Sequence, residues 1–113
     1  MLPKVARVAW LYDFYGKLLT DKQQKIIELY YNQDLSLGEI AEEYSISRQA
    51  VHDLIRRAET TLEEYESKLG VLQKYLTEKE LLQKAIDLIE KGEQDRNSLK
   101  QAKELLSELL GSN

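Results

Sequence analysis

Polar side chains between Ser47 and Arg57 carry the chemistry that this sequence most clearly offers. Arginine can hold guanine, and glutamine can hold adenine, through two hydrogen bonds in the major groove of DNA. If a helix of this segment enters that groove, its first residues reach base edges and its later arginines reach phosphates. Three of these residues are four positions apart and therefore share one helix face. The candidates are Ser47, Arg48, Gln49 and His52 for bases, and Arg56 and Arg57 for phosphates.

The segment from Leu37 to Leu54 has the pattern of a helix-turn-helix, which would hold such a helix in place. Ala41 is the small residue at which two steeply crossing helices can come close, while Ile46 and Val51 fill the angle between them. The turn has Ser45 where glycine is usual, and a positive φ there would cost about 1 kcal/mol. The same geometry also serves as a scaffold without a ligand, so packing alone is an alternative interpretation.

Helix-forming residues dominate the whole sequence, with five Gly and a single Pro, so we predict an all-α protein. Helices are expected over about 4–19, from a capping box at 20–23 to about 31, and from a second box at 36–39 to about 44. Ser47 is the expected N-cap of a long helix that reaches 69. A third box at 77–80 predicts a new helix over about 78–91, and a last helix over about 95–110 completes a helical hairpin.

Apolar residues on the long helix recur in steps of four and three, which is the spacing of a coiled coil or of bundle packing. Such a stripe needs a partner helix, supplied by a second copy of the chain or by the C-terminal hairpin. We expect a nucleic-acid-binding helix-turn-helix domain at 1–70 and a helical extension for packing or dimerisation at 71–113. The stripe consists of Val51, Ile55, Ala58, Leu62, Tyr65, Leu69, Leu72 and Leu76.

The charge of the chain argues against strong long-range attraction to nucleic acid. Its 113 residues include 16 Lys and Arg against 20 Asp and Glu, for a net charge of -4. Residues 1–69 alone hold nine basic and 12 acidic side chains, a net of -3. A symmetric homodimer would double the contacts and impose a fixed half-site spacing, so a homodimer is expected.

Several other classes of function lack support in the residues. With no cysteine, one histidine and no clustered carboxylates, neither a metal nor a cofactor is expected. A phosphate-binding glycine loop and a nucleophile elbow are missing, which argues against an enzyme. No signal peptide or membrane span is predicted, so we expect a cytoplasmic protein. Six aromatic residues could stack on single-stranded bases, but their helical spacing favours a core or interface role: Trp10, Tyr12, Phe14, Tyr15, Tyr30 and Tyr31.

Four sequence runs together resemble the YlxM family of small bacterial proteins, whose helix-turn-helix is similar to region 4 of sigma factors. They are LYDFYGKLLTDKQ at 11–23, ELYY at 28–31, SLGEIAEEY at 36–44 and SRQAV at 47–51. The resemblance covers about residues 8–70, with Ser45 and His52 as departures, since glycine and an aromatic residue are more usual at these positions. Ser47, Arg48, Gln49, Arg56 and Arg57 keep the family pattern.

What the resemblance implies is a regulatory protein of the signal recognition particle pathway, a link based on neighbouring genes for the particle's GTPase and its receptor. Two functions follow as hypotheses. The first is a dimeric regulator that binds duplex DNA, with RNA as another possible ligand. The second is an adaptor that binds the particle's GTPase or RNA without reading a DNA sequence.

Overall fold

The computed structural model describes residues 2–92 and 95–111. These residues contain helices and no strand, which confirms the all-α prediction. The chain divides into two compact units, Met1–Leu72 and Gln73–Asn113. The α-helices are α1 Lys4–Tyr15, α2 Asp21–Ile27, α3 Leu37–Tyr44, α4 Arg48–Leu69, α5 Val71–Gly92 and α6 Arg96–Gly111.

The helix α1 ends earlier than the sequence predicts, because a tighter 3₁₀ turn takes over at Gly16–Leu18. A side chain at Gly16 would place its Cβ 2.9 Å from the Tyr12 ring, so glycine lets that ring lie against the backbone. The capping box before α2 is confirmed: Thr20 Oγ1 accepts from Gln23 N at 3.2 Å, and Thr20 N donates to Gln23 Oε1 at 3.1 Å. A wider π-helical turn, Glu28–Asn32, then extends α2.

The start and end of the helix-turn-helix elements follow the predicted capping residues. Ser36 and Glu39 form a capping box at the start of α3, and Ser47 Oγ accepts from Ala50 N at 3.0 Å at the start of α4. Gly70 ends α4 with a left-handed φ of 63°. Each of these limits depends on a local interaction, a side-chain cap at Ser36 and Ser47 and a left-handed glycine at Gly70, which is why the sequence predicts it.

The prediction of a helix that begins near Glu78 is wrong. The helix α5 runs without a break from Val71 to Gly92. The Thr77 hydroxyl lies inside the helix, where it accepts from Gln73 Nε2 at 3.2 Å. A capping-box pattern starts a helix only where the preceding residues are not themselves helical. The segment before Thr77 consists of good helix formers, so α5 continues through it.

A buried hydrogen-bond network fixes the first turn of α5 within the first unit. Tyr15 Oη donates to Glu66 Oε1 at 2.6 Å, and Leu72 N donates to the same oxygen at 2.9 Å. Val71 N donates to Tyr15 Oη at 3.0 Å. Burial and the bond to Glu66 raise the pKa of Tyr15. Side chains from α1 and α4 thus satisfy two of the amide groups that a helix start leaves open.

The apolar stripe of α4 is the core of the first unit. Val51, Ala58 and Leu62 are fully buried and Ile55 nearly so, and α4 packs on α1, α2 and α3. Leu69, at the end of the stripe, is 58% exposed. The helices α1 to α3 therefore supply the partner for the buried part of the stripe, from Val51 to Leu62. The two predicted partners were a second copy of the chain and the C-terminal hairpin, and these three helices are neither.

The second unit contains the predicted hairpin of α5 and α6. The side chains buried in it are small: Ala85, Ser98 and Ala102. The sequence pattern of α6 predicts an inner face of Leu99, Ala102, Leu106 and Leu109. This prediction is partly wrong, because Leu99 and Leu106 are 44% and 37% exposed. A leucine also occurs one position before Leu106, at 105, so periodicity alone did not show which stripe faces α5.

Candidate nucleic-acid interface

An apolar cluster fixes the angle between α3 and the start of α4. Ile40 and Val51 are fully buried in it, and Ala41 is 7% exposed. Ile46 and Leu54 pack against the cluster from its edge. The residues that the sequence assigns to helix-turn-helix packing therefore lie where that pattern requires them.

The turn between the two helices passes through a left-handed residue that is not glycine. Ser45 has φ 54° and ψ 44°, and the next amide, Ile46 N, donates to Ala41 O at 3.0 Å. The positive φ expected of this turn is therefore present at Ser45. Its Cβ is crowded by the backbone in this conformation, while the turn bonds hold the residue there.

Replacing Ser45 with glycine should raise the free energy of unfolding by about 0.5–1 kcal/mol, because glycine adopts a positive φ without a Cβ penalty. Urea unfolding followed by circular dichroism measures the change. The matched control is Ser45→Ala, which keeps the Cβ and should bring no such gain. A glycine variant no more stable than the alanine variant would show that the turn is not strained.

All six candidate residues are exposed. Ser47 uses its hydroxyl to cap α4, so it positions the helix start as well as facing outward. Arg48 lies beside α3, where a Cβ on Gly38 would be 3.4 Å from Arg48 Nε. That distance is an ordinary van der Waals contact, so the guanidinium packs close to α3 at the start of α4.

An acidic residue lies among the candidates on the exposed face of α4. Gln49 Nε2 donates to Asp53 Oδ1 at 3.0 Å, and His52 Nδ1 is 3.9 Å from the same oxygen. The carboxylate therefore holds the glutamine amide and reduces the local positive charge. Sequence reasoning did not predict the bond between Asp53 and Gln49.

The structure brings some of the six residues together and separates others. His52 and Arg56 line one cavity of about 410 Å³, together with Tyr30 and Tyr31. Arg48 lines a different groove, against α3. Arg57 is nine residues, or about two and a half turns, beyond Arg48 and so points from the opposite side of the helix.

A lysine from α1 lies in the same cavity and was missed by sequence reasoning. Lys4 lines the cavity, and its Nζ is 3.5 Å from Glu59 Oε1. Tyr31 Oη donates to the same carboxylate, and burial together with this bond raises the pKa of Tyr31. Lys4 is too far along the chain from the α4 residues for sequence spacing to link them. Only the packing of α1 on α4 shows that they line the same cavity.

The short helix α3 and the start of the longer α4 each bury one face and are joined by a tight turn, and the start of α4 exposes polar residues. This arrangement defines a helix-turn-helix protein. The model of the family described as "Putative helix-turn-helix protein, YlxM / p13 like" (UPF0122) matches residues 2–105. This chain belongs to that family. UPF0122 proteins of Bacillus thuringiensis (strain Al Hakam), Bacillus cereus (strain G9842) and Bacillus anthracis (strain A0248) are each 50% identical to it over 109 residues, 96% of this chain and 99% of theirs.

The described residues also bear on metal binding and membrane insertion. Residues 2–92 and 95–111 contain no group of three or more His, Cys, Asp or Glu side chains arranged to hold a metal ion. None of the helices in this part of the chain is long and apolar enough to cross a membrane.

Proposed function

We propose that the protein is a non-enzymatic regulator that binds duplex DNA through the start of α4. The observation that carries this proposal is the row of exposed polar side chains at the start of α4. The buried cluster around Ile40 and Val51 holds this part of the helix at a fixed angle. In this proposal Arg48, Gln49 and His52 contact bases, and Arg56 and Arg57 contact phosphates. Ser47 contributes at the helix start, where amide groups also favour phosphate.

A homodimer is part of the proposal, because a single copy has little positive charge to offer. The -3 balance of residues 1–69 gives weak attraction to phosphates, whereas two copies present two recognition helices to one duplex. Two symmetric helices would recognise half-sites about one helical turn apart, or a multiple of it. A cytoplasmic location accompanies this function.

The proposed regulatory role belongs to the signal recognition particle pathway, which the family resemblance supports. The low basic charge favours a second function, an adaptor that binds the particle's GTPase or RNA. The salt dependence of binding distinguishes contacts to phosphate from protein docking, because each phosphate contact releases counterions. Duplex DNA, particle RNA and the GTPase are therefore titrated side by side at two salt concentrations.

Replacing Arg48 with alanine should weaken specific duplex binding by about 1–3 kcal/mol and relax the sequence preference, because a bidentate base contact is lost. The preferred duplex is first selected from random sequences, and fluorescence anisotropy then measures the affinity. The control is Lys68→Ala on the last turn of the same helix, which removes one positive charge far from the start of α4.

Three results would oppose the proposal in different ways. A selection from random duplexes that enriches no sequence would exclude base reading. Equal losses for Arg48→Ala and Lys68→Ala would assign the binding to general charge. Tight binding to the GTPase or particle RNA without duplex binding would favour the adaptor.

A further inference from the structure

The α5–α6 hairpin presents large apolar side chains to solvent. Six Leu and Ile residues in this unit are 37–81% exposed, whereas the residues buried in it are small, two alanines and a serine. A hairpin of about 40 residues whose larger inner side chains are only half-buried has little core of its own. We call the exposed set the outer face, and it comprises Leu82, Ile86, Ile89, Leu99, Leu106 and Leu110.

The outer face follows from the helix register of the hairpin. On α5, Leu82, Ile86 and Ile89 each come one residue after a position of the inner stripe that contains Ala85. On α6, Leu99 and Leu106 come one residue after Ser98 and Leu105 in the same way. One residue is a rotation of about 100°, and in two antiparallel helices that rotation leads to the same side of the pair. The outer residues of both helices therefore form one continuous face.

Contacts inside the hairpin establish the antiparallel register. A Cβ on Gly92 would collide with the side chain of Leu99, and Leu81 lines a groove with Leu109. The opposite side of the hairpin is polar, with a groove lined in part by charged residues of both helices: Lys84, Asp87, Lys91, Glu104 and Glu108. Lys103, one residue after the buried Ala102, interrupts the outer residues of α6, so the hairpin is largely apolar on one side and largely charged on the other.

We propose that the outer face binds the outer face of a second copy, so that two hairpins form an antiparallel four-helix bundle. The repeat of four and three residues on α5 is the spacing with which bundle helices interlock. From the exposed fractions, the six side chains offer on the order of 600 Å² per copy, close to the roughly 800 Å² that each partner buries in a standard interface.

Charges beside the outer face also suit a second copy. Lys79 lies on the outer stripe of α5 one turn before Leu82, and Glu90 lies at its edge next to Ile89. When α5 runs antiparallel to the α5 of a second copy with Leu82 opposite Ile86, Lys79 of each copy comes beside Glu90 of the other. The segment 73–113 has seven basic and eight acidic residues, whereas binding to an anionic lipid surface uses a basic excess.

The test measures the mass of the full chain in solution by light scattering after size-exclusion chromatography. The protein with the natural sequence should have a measured mass of twice the 13.2 kDa of one chain. The combined substitutions Ile86→Lys and Leu99→Lys place charges on the outer face and should give a monomer with unchanged helix content. The matched control, Lys84→Glu combined with Asp87→Lys on the polar side of α5, should remain a dimer.

A second measurement uses the absence of cysteine from the sequence. In single-cysteine variants, a bismaleimide should link two copies through Ile86→Cys but not through Lys84→Cys.

This inference rests on the homodimer of the proposed function, and neither experiment contains nucleic acid. A monomeric natural chain would overturn both the homodimer and the outer-face interface. A lysine variant that stays dimeric, or equal cross-linking at both positions, would overturn this interface alone. Loss of duplex binding in an intact dimer would concern α4 alone.

Discussion

Replacing Leu62 with alanine should lower the free energy of unfolding by about 2–5 kcal/mol. Leu62 is fully buried in the middle of α4, where α1 to α3 cover the helix. The substitution removes apolar contacts and leaves a cavity, because the four packed helices cannot close over it completely. Urea unfolding of the full chain, followed by circular dichroism, measures the difference.

The matched control is Leu69→Ala on the same helix. Leu69 is 58% exposed, so the same change there should cost far less, within about 0.5–1 kcal/mol. If the two variants lost equal stability, the burial of the α4 stripe within one protomer would be contradicted. A loss at Leu62 that disappears at high protein concentration would instead indicate an interface between copies.

Replacing Glu66 with alanine should lower the free energy of unfolding by about 1–3 kcal/mol for each buried donor left without an acceptor. Two donors depend on its Oε1 atom, the Tyr15 hydroxyl and the Leu72 amide. Both lie in a buried environment where water does not replace the lost acceptor. A double-mutant cycle with Tyr15→Phe measures how much of the loss belongs to that pair.

An exposed ion pair between α1 and α4 provides the control. Arg7 Nη2 donates to Glu63 Oε2 at 2.8 Å, and this bond holds the pKa of Glu63 below its ordinary value. Both side chains are more than a third exposed, so Glu63→Ala should cost less than about 1 kcal/mol. A Glu66 variant as mild as this control would show that the buried network contributes little to stability.

Helix limits were predictable where one local contact decides them. The boxes at Thr20 and Ser36, the cap at Ser47 and the left-handed Gly70 each involve residues a few positions apart. The apolar cluster of the helix-turn-helix was predictable for a similar reason, since its spacing is short and sterically demanding. The turn at Ser45 also followed, because the pattern requires a positive φ there.

Non-local packing decided what the sequence left open or predicted wrongly. Thr77 carries a capping pattern, but α5 continues through it because nothing before it ends the helix. The stripe on α4 shows that a partner is needed without showing that α1 to α3 provide it. On α6, neighbouring leucines at 105 and 106 fit either stripe, and only the register with α5 selects one.

The candidate site was predictable in its residue types but not in its grouping. The positions of Arg48, His52 and Arg56 follow from helix spacing, and all are exposed. Their division between two grooves depends on the packing of Arg48 beside α3 and on the tyrosines after α2, which the motif does not include. Lys4 joins the site only through the tertiary position of α1.

The bond between Gln49 and Asp53 bears on how a glutamine on α4 would meet an adenine. The amide gives one hydrogen to the carboxylate, so its oxygen and its second hydrogen are still available for a purine. Fixing a long side chain on binding commonly costs about 0.5–1.5 kcal/mol in lost rotamers. Here part of that ordering is completed when the helix forms, so under the proposed function the amide would meet the base already oriented.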